Sequence, residues 1–243
     1  MPEDLSPAHL AHAMPGRSVR SYPALLSTEA DAMAWARAGA PSGAVVVADY
    51  QAAPRGRGGL PWYTAPGAGL SFSIVLRPDL PPTREGWCYI AGLLALTDAI
   101  AGTDVVIEWP DRVARRGTRH PLASLGTHVQ LGLSGTDWAV INVLIHDAQG
   151  PRDALLARCV VAIEARLNEE QETVLEEYRS RCATLGQHVQ ARLVPLGPNG
   201  VRVLGEGLDV MDDGALVIRT DEGRRVAVRP QDLGLLEDAD ESD

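Results

Sequence analysis

The sequence predicts an α+β fold: a mixed, largely antiparallel sheet packed with helices, followed by a small β-barrel. Three observations carry that prediction. Between residues 17 and 183, segments with helical spacing of apolar residues alternate with short runs rich in β-branched residues. Two of those runs, "THVQLGL" and "DWAVINVLI", are separated only by the turn "SGTD" and read as a hairpin. From residue 184 onward, short apolar runs are cut by "GPNG", "MDDG" and "DEGR", turns whose Gly, Asp and Asn tolerate positive φ.

Taken in order, residues 1–16, "MPEDLSPAHLAHAMPG", are expected to form a flexible leader. "STEADAMAWARAG" has a Ser/Thr start signal, a helical body and a Gly stop, and "AVVVADY" follows it as a strand. "GLSFSIVLRP" is a further strand ended by prolines. "EGWCYIAGLLALTDAIAG" is apolar over enough length for a buried helix, and "TDVVIEWP" returns as a strand. After the hairpin, apolar residues at three- and four-residue spacings predict one long helical region from Pro151 to about Ser180. The runs "HVQARLV", "VRVLGEGLDV", "GALVIRT" and "RRVAVRP" then build a barrel of SH3-like type over residues 184–236. Residues 237–243, "EDADESD", make an acidic, solvated tail.

Composition narrows the function classes. The chain of 243 residues has a net charge of −10, so general binding to nucleic acid or to an anionic membrane is not expected. Cys88, Cys159 and Cys182 stand far apart, with neither zinc nor disulfide spacing. No apolar run reaches spanning length and the first residues are acidic, so neither anchor nor signal peptide is expected, and a cytoplasmic location fits best. The six histidines lack metal-ligand spacing, and no G-x-S-x-G elbow or Walker loop occurs. All 22 positive residues are arginine; the chain contains no lysine.

The stretch "QAAPRGRGGLPW", residues 51–62, concentrates the chemistry. Glycines between arginines let backbone approach a ligand, while each guanidinium offers forked donors to phosphate or carboxylate. On spacing alone, a solvated basic turn is the alternative reading. Its setting between two predicted strands resembles the adenylate-binding region of biotin protein ligases, whose usual form is a glutamine, then G-R-G-R-x-G-R-x-W, then a P-x-G-x-x-L-S strand. "STE" at residues 27–29 stands where that family has Ser-Thr-Asn, "IEWPDRV" where it has K-W-P-N-D, "PLASL" where it has K-L-A-G-I, and "AVINV" at its G-x-N-V strand.

The resemblance implies a biotin/lipoyl ligase-like α+β core with a small C-terminal barrel. It also implies ATP and Mg2+ as requirements and biotin as substrate, with no tightly bound cofactor. The partner would be a biotin carboxyl carrier domain or another acyl carrier protein, and a homodimer paired through sheet edges stays open. The N-terminal DNA-binding domain of some members is not expected, since residues 1–20 are too few to hold one.

By the same resemblance, Ser27 and Thr28 would contact the biotin head group and Gln51 would line its pocket. Arg55, Gly56 and Arg57 would form the ligand loop, Trp62 would cover the adenylate and Asn142 would lie near it. Arg57 and Arg119 would handle charge in catalysis. Plain structural readings stand beside these: Ser27 and Thr28 as a helix cap, Trp62 as core, Asn142 as a partner for strand backbone.

The departures from the family pattern are specific. Glu108 and Pro121 stand at its two lysines, Asp111 and Arg112 at its asparagine and aspartate, Ser124 at the glycine of K-L-A-G. Glu29 follows Ser-Thr in place of asparagine, Pro54 takes the loop's first glycine and Leu60 its last arginine. Arginine is wider and differently solvated than lysine, so Arg119 beside His120 is no simple replacement. Two readings follow: an ATP-dependent ligase that works through arginine, or a catalytically inactive protein that keeps a ligand pocket or a carrier-binding surface.

Overall fold

The structure, a computed structural model, describes residues 2–63, 67, 69–100, 102–118, 120–133, 135–195 and 200–238. In chain order its elements are α1 (Pro7–Ala13), β1 (Val19–Tyr22), α2 (Thr28–Arg37), β2 (Val45–Ala48), β3 (Leu70–Leu76), α3 (Trp87–Ala99), β4 (Val105–Glu108) and β5 (Arg112–Arg115). Then come β6 (Pro121–Leu131), β7 (Thr136–Ile145), α4 (Arg152–Asn168), α5 (Gln171–Arg181), β8 (His188–Leu193), β9 (Arg202–Val210), β10 (Leu216–Thr220), β11 (Arg225–Val228) and β12 (Leu233–Asp238).

The first seven strands form one sheet in the order β1-β2-β3-β7-β6-β5-β4. Its parallel pair is β1 with β2, the pair joined through α2, as a parallel connection needs a crossover. The other neighbours are antiparallel. The last five strands make a second, antiparallel sheet in the order β11-β10-β9-β8-β12, where the sequence predicts the barrel.

Side chains alternate across a strand, so each central strand contributes to two surfaces. One face carries Val45 and Val47, Phe72 and Ile74, Ile141 and Val143, and Leu125, all in the main core with α3, α4 and α5. Helix α3 is buried along nearly its whole length, which explains its uniformly apolar sequence. Its Gly92 lies so close to β6 that an added Cβ would meet Leu125 at 2.6 Å. On the opposite face Val46, Val75 and Val140 form a smaller cluster under Ala32, Ala36 and Ala40 of α2 and its C-terminal turn. Past the alanines of α2, that same face changes to Ser71, Ser73, Ser124 and Asn142.

The C-terminal sheet is fastened to the core rather than tethered beside it. The Trp109 indole donates to the Gly214 carbonyl at 2.9 Å, and Arg179 donates to the Val210 carbonyl at 2.8 Å. Gly86 lies against the backbone of Asp213, leaving no room for a Cβ. Val189, Val210, Leu216 and Ile218 belong to the main apolar core.

Four local features differ from the sequence expectations. The leader is ordered: a 3-10 turn (Glu3–Leu5) and α1 bury Leu5, Leu10 and Met14. Arg152, 8% exposed, donates to Asp4 at 2.9 Å and to Asp49 at 2.7 Å, pinning this segment to α4 and to the end of β2. The long helical region is two helices, because the chain leaves helical geometry at Glu169 and Glu170, and the Glu170 carboxylate caps α5 by accepting from Thr173 N–H at 2.8 Å. Strands β1, "VRSY", and β5, "RVAR", were not predicted, since their charged residues hide the strand signal. The start of the acidic tail is strand: Glu237 and Asp238 pair with Gln190 and Val189, while residues 239–243 lie outside the described residues.

Candidate functional site

The polar part of the sheet is organised in two transverse rows. One runs Val46, Ser73, Asn142, Gly126 across β2, β3, β7 and β6. The next runs Ala48, Ser71, Leu144, Ser124, Arg112 and Glu108 through to β4. Small and polar residues at alternate positions, between fully apolar neighbours, leave a shallow, hydrogen-bonding floor where packing alone would favour branched side chains.

Ser27 and Thr28 stand at one wall of this floor. Ser27 accepts from Ala30 N–H at 3.4 Å and is the N-cap of α2, so the capping role foreseen for it is present. Thr28 does more than cap: its N–H donates to the Gln51 side-chain oxygen at 2.6 Å, and its hydroxyl accepts from Ser73 at 2.9 Å. Ser27, Thr28, Gln51 and Ser73 are all buried, so the helix start, the end of β2 and the middle of β3 form one polar corner.

The arginine-glycine loop lies over the floor. Gly56 N–H donates to the Leu60 carbonyl at 2.7 Å and Trp62 N–H to the Pro54 carbonyl at 3.0 Å, closing a tight loop. The half-buried Trp62 ring rests directly on Gly56; a Cβ there would come within 2.2 Å of the indole nitrogen. Beneath, Gly126 supports the loop backbone, since its own Cβ would lie 2.9 Å from the Gly56 carbonyl carbon. These two glycines are needed because backbone, not side chain, makes the contact.

Asn142, 1% exposed, joins floor and loop: its amide donates to the Arg55 carbonyl, while its side-chain oxygen has no hydrogen-bond partner. Turning the amide over would face oxygen to oxygen at Arg55, so the orphan is the acceptor. A buried acceptor left unpaired costs about 1–3 kcal/mol. A ligand N–H or O–H reaching it would recover that cost.

The two loop arginines part company. Arg57 is 5% exposed; it donates to Asp111 at 3.0 Å, to the Pro230 carbonyl at 3.1 Å and to the Leu233 carbonyl. It clasps the loop to β12 and to the turn before it. Arg55 is exposed and donates to its own loop at the Gly59 carbonyl, 3.0 Å away. Its charge also reaches Glu29, whose carboxyl is pushed above the usual range by burial and partly restored by Arg55. Arg119 lies outside the described residues.

At the far end of the floor, Ser124 and His146 meet, Oγ to Nε2, at 3.0 Å. Burial, and secondarily the Arg112 charge, holds the imidazole below its ordinary pKa, favouring the neutral ring. Sequence reading passed over Ser71, Ser73, Gly126 and His146. One signal was present: in "LSFSIVL" the serines fall two apart, on the same face of a strand whose other residues are apolar. Among the described residues, no group of three or more His, Cys, Asp and Glu side chains is arranged to hold a metal ion.

No protein-family model matches the chain. A biotin--[acetyl-CoA-carboxylase] ligase of Mycobacterium tuberculosis is 30% identical over 230 residues, covering 85% of each chain. The bifunctional ligase/repressor BirA of Bacillus subtilis is 24% identical over 238 residues, 86% of this chain and 71% of that one. In fold, the chain superposes on a biotin protein ligase from Aquifex aeolicus, solved with biotin and ATP, with a TM-score of 0.70 at 19% identity, covering 91% and 99% of the two chains. It also superposes on a biotin protein ligase-like protein of unknown function from a Silicibacter species, with a TM-score of 0.63 at 16% identity, over 89% and 96%.

Proposed function

This chain belongs to the biotin protein ligase family, and from that premise we propose that its polar sheet face binds biotin, or a related carboxylic acid, together with ATP. The protein joins them as an acyl-adenylate and passes the acyl group to a lysine of a carboxyl-carrier domain or other acyl carrier. The observation that carries this reading is the unpaired Asn142 acceptor beneath the loop, an atom whose burial is explained by a ligand donor.

The residues divide the work. The corner made by Ser27, Thr28, Gln51 and Ser73 supplies hydrogen bonds to the acid's polar head. Gly56 gives the loop its close approach, and Trp62 shields the mixed anhydride from water, whose attack would waste it. Arg57 positions the loop through its clasp, and Arg55, exposed at the loop, meets phosphate charge together with Arg112 and Arg119. Magnesium would arrive with the ATP phosphates; the described side chains offer it no donor cluster, and no step here depends on one.

A second reading, a ligand- or carrier-binding protein without turnover, is favoured by the same clasp. With Arg57 engaged by Asp111 and two carbonyls, and with Glu108 and Pro121 at the family's lysine positions, the reacting centre has fewer free cations than adenylation demands. The deciding experiment is a quenched reaction of folded protein with magnesium, labelled ATP and biotin, resolved by chromatography for biotinyl-adenylate. Adenylate formation supports the ligase. Its absence, with biotin binding retained by calorimetry, leaves the binding protein.

A further inference from the structure

Arg152 stands where helix physics disfavours it. It is the first residue of α4, whose N-cap, Pro151, offers no capping side chain, and a cation at a helix N-terminus opposes the macrodipole. Its buried guanidinium turns instead to the two ends of the stretch that carries the ligand loop. Nη1 donates to the Asp49 carboxylate at 2.7 Å and to the Gly69 carbonyl at 3.3 Å. Asp49 lies two residues before Gln51, and Gly69 is the residue that enters β3, so one nitrogen joins the departure of that stretch to its return. Gly69 is fixed from another side as well: a Cβ there would come within 2.2 Å of the Ile145 carbonyl, at the end of β7. The N-terminal segment holds the rest of the guanidinium. Nε and Nη2 each donate to an Asp4 carboxylate oxygen at 2.9 Å, and the Arg152 backbone N–H reaches the same carboxylate at 3.2 Å. Asp4 is anchored in turn, because Leu5 is fully buried and its carbonyl accepts from the Ser21 hydroxyl at 2.6 Å. Stabilising α4 alone needs none of this, since an acid capping the helix would suffice.

We infer that Arg152 is a positioning residue for the ligand loop, and that Asp4, carried on the N-terminal segment, is the strap that orients it. By tying residue 49 to residue 69, the guanidinium fixes the span from which Gln51, Gly56 and Trp62 reach over the sheet. A planar fork is needed here. It meets one carboxylate with two nitrogens while the third serves a second carboxylate and a carbonyl, an arrangement that the point charge of a lysine does not reproduce. The effect is on how long the loop stays over a bound ligand, and the role rests on the proposed binding of an acyl-adenylate beneath that loop.

Two measurements test it separately: hydrogen exchange of the ligand-free protein, read by mass spectrometry, and dissociation of chemically prepared biotinyl-5′-adenylate, read by stopped-flow displacement. Arg152→Gln leaves two carboxylates without their cation and loses stability, so Asp4→Asn is the milder variant and Asp4→Glu restores the charge; circular dichroism confirms that each is folded. In Asp4→Asn, residues 51–62 should exchange about tenfold faster than in the parent and the adenylate should dissociate about tenfold faster, the scale of one lost charge-assisted hydrogen bond, with association unchanged. Asp4→Glu should return both rates toward the parent, and Arg152→Gln should exceed Asp4→Asn in both. Faster exchange confined to residues 2–16 and α4, or rising equally throughout the chain, overturns the proposal, because a merely structural ion pair gives those patterns. Faster loop exchange with unchanged adenylate dissociation overturns the positioning role as well. A parent that does not bind the adenylate overturns the functional reading, while exchange within residues 51–62 still decides whether Arg152 holds the loop.

Discussion

The two faces of the seven-stranded sheet come from the same strands and differ by one residue in register. On one, Val45, Phe72, Ile141 and Leu125 lock against three helices; on the other, Ser73, Asn142 and Gly126 face a loop of arginine and glycine. The first face stabilises the fold through buried apolar area. The second sacrifices that gain, to the point of leaving an acceptor on Asn142 unpaired. An unpaired buried acceptor calls for an explanation, and a ligand donor is the one proposed above.

The contrast is sharpened by substitutions that separate stability from binding. The largest stability effect is expected on the apolar face: Phe72→Ala, at a fully buried position, should lower unfolding free energy by about 3–5 kcal/mol. Urea unfolding checks this, and in dilute denaturant the surviving folded fraction should bind biotin with unchanged affinity.

Arg57→Ala comes next, because it removes the guanidinium that joins Asp111, Pro230 and Leu233. The loss should be roughly 2–3 kcal/mol, below that of a fully buried pair since the Asp111 side chain keeps 18% exposure. Limited proteolysis should then cut faster within residues 51–62. Unchanged proteolysis would mean the clasp does not hold the loop.

Gly126→Ala tests the floor itself. Its new methyl group would stand 2.9 Å from the Gly56 backbone and press on Asn142, so the loop must lift at a cost of about 1–3 kcal/mol. Ligand affinity should fall by more than tenfold, a result with no counterpart for a methyl-scale change on the apolar face.

Glu29→Gln is the smallest and is a matter of pH. Burial raises the folded-state pKa of this carboxyl, so its neutral form suits the fold and the stability it allows is fully present below the unfolded pKa. That stability is lost as pH rises through the folded pKa. The glutamine variant should therefore match the parent in acid and melt at a slightly higher temperature at neutral pH, as thermal scans at both ends would register.

Much of this molecule was legible in its residues. Helix α3 announced itself because a helix buried all round must be apolar all round, and the β6–β7 hairpin because its strands flank a short turn. Strands β1 and β5 did not, since "VRSY" and "RVAR" are strand only through their pairing with neighbours. The N-terminal residues looked loose for a related reason: Asp4 and Arg152, far apart in sequence, make their ion pair only after folding.

What the sequence by itself determined is the family, the α+β class and the position of the loop, because these rest on local spacing and motif. What the tertiary structure alone decided is the fate of each polar group. "R-G-R" does not say that Arg55 faces solvent while Arg57 is buried against β12, nor does "PLASL" say that Ser124 will find His146. Burial and hydrogen-bond partnership are relations between segments far apart in the chain, and they exist only once the strands lie side by side.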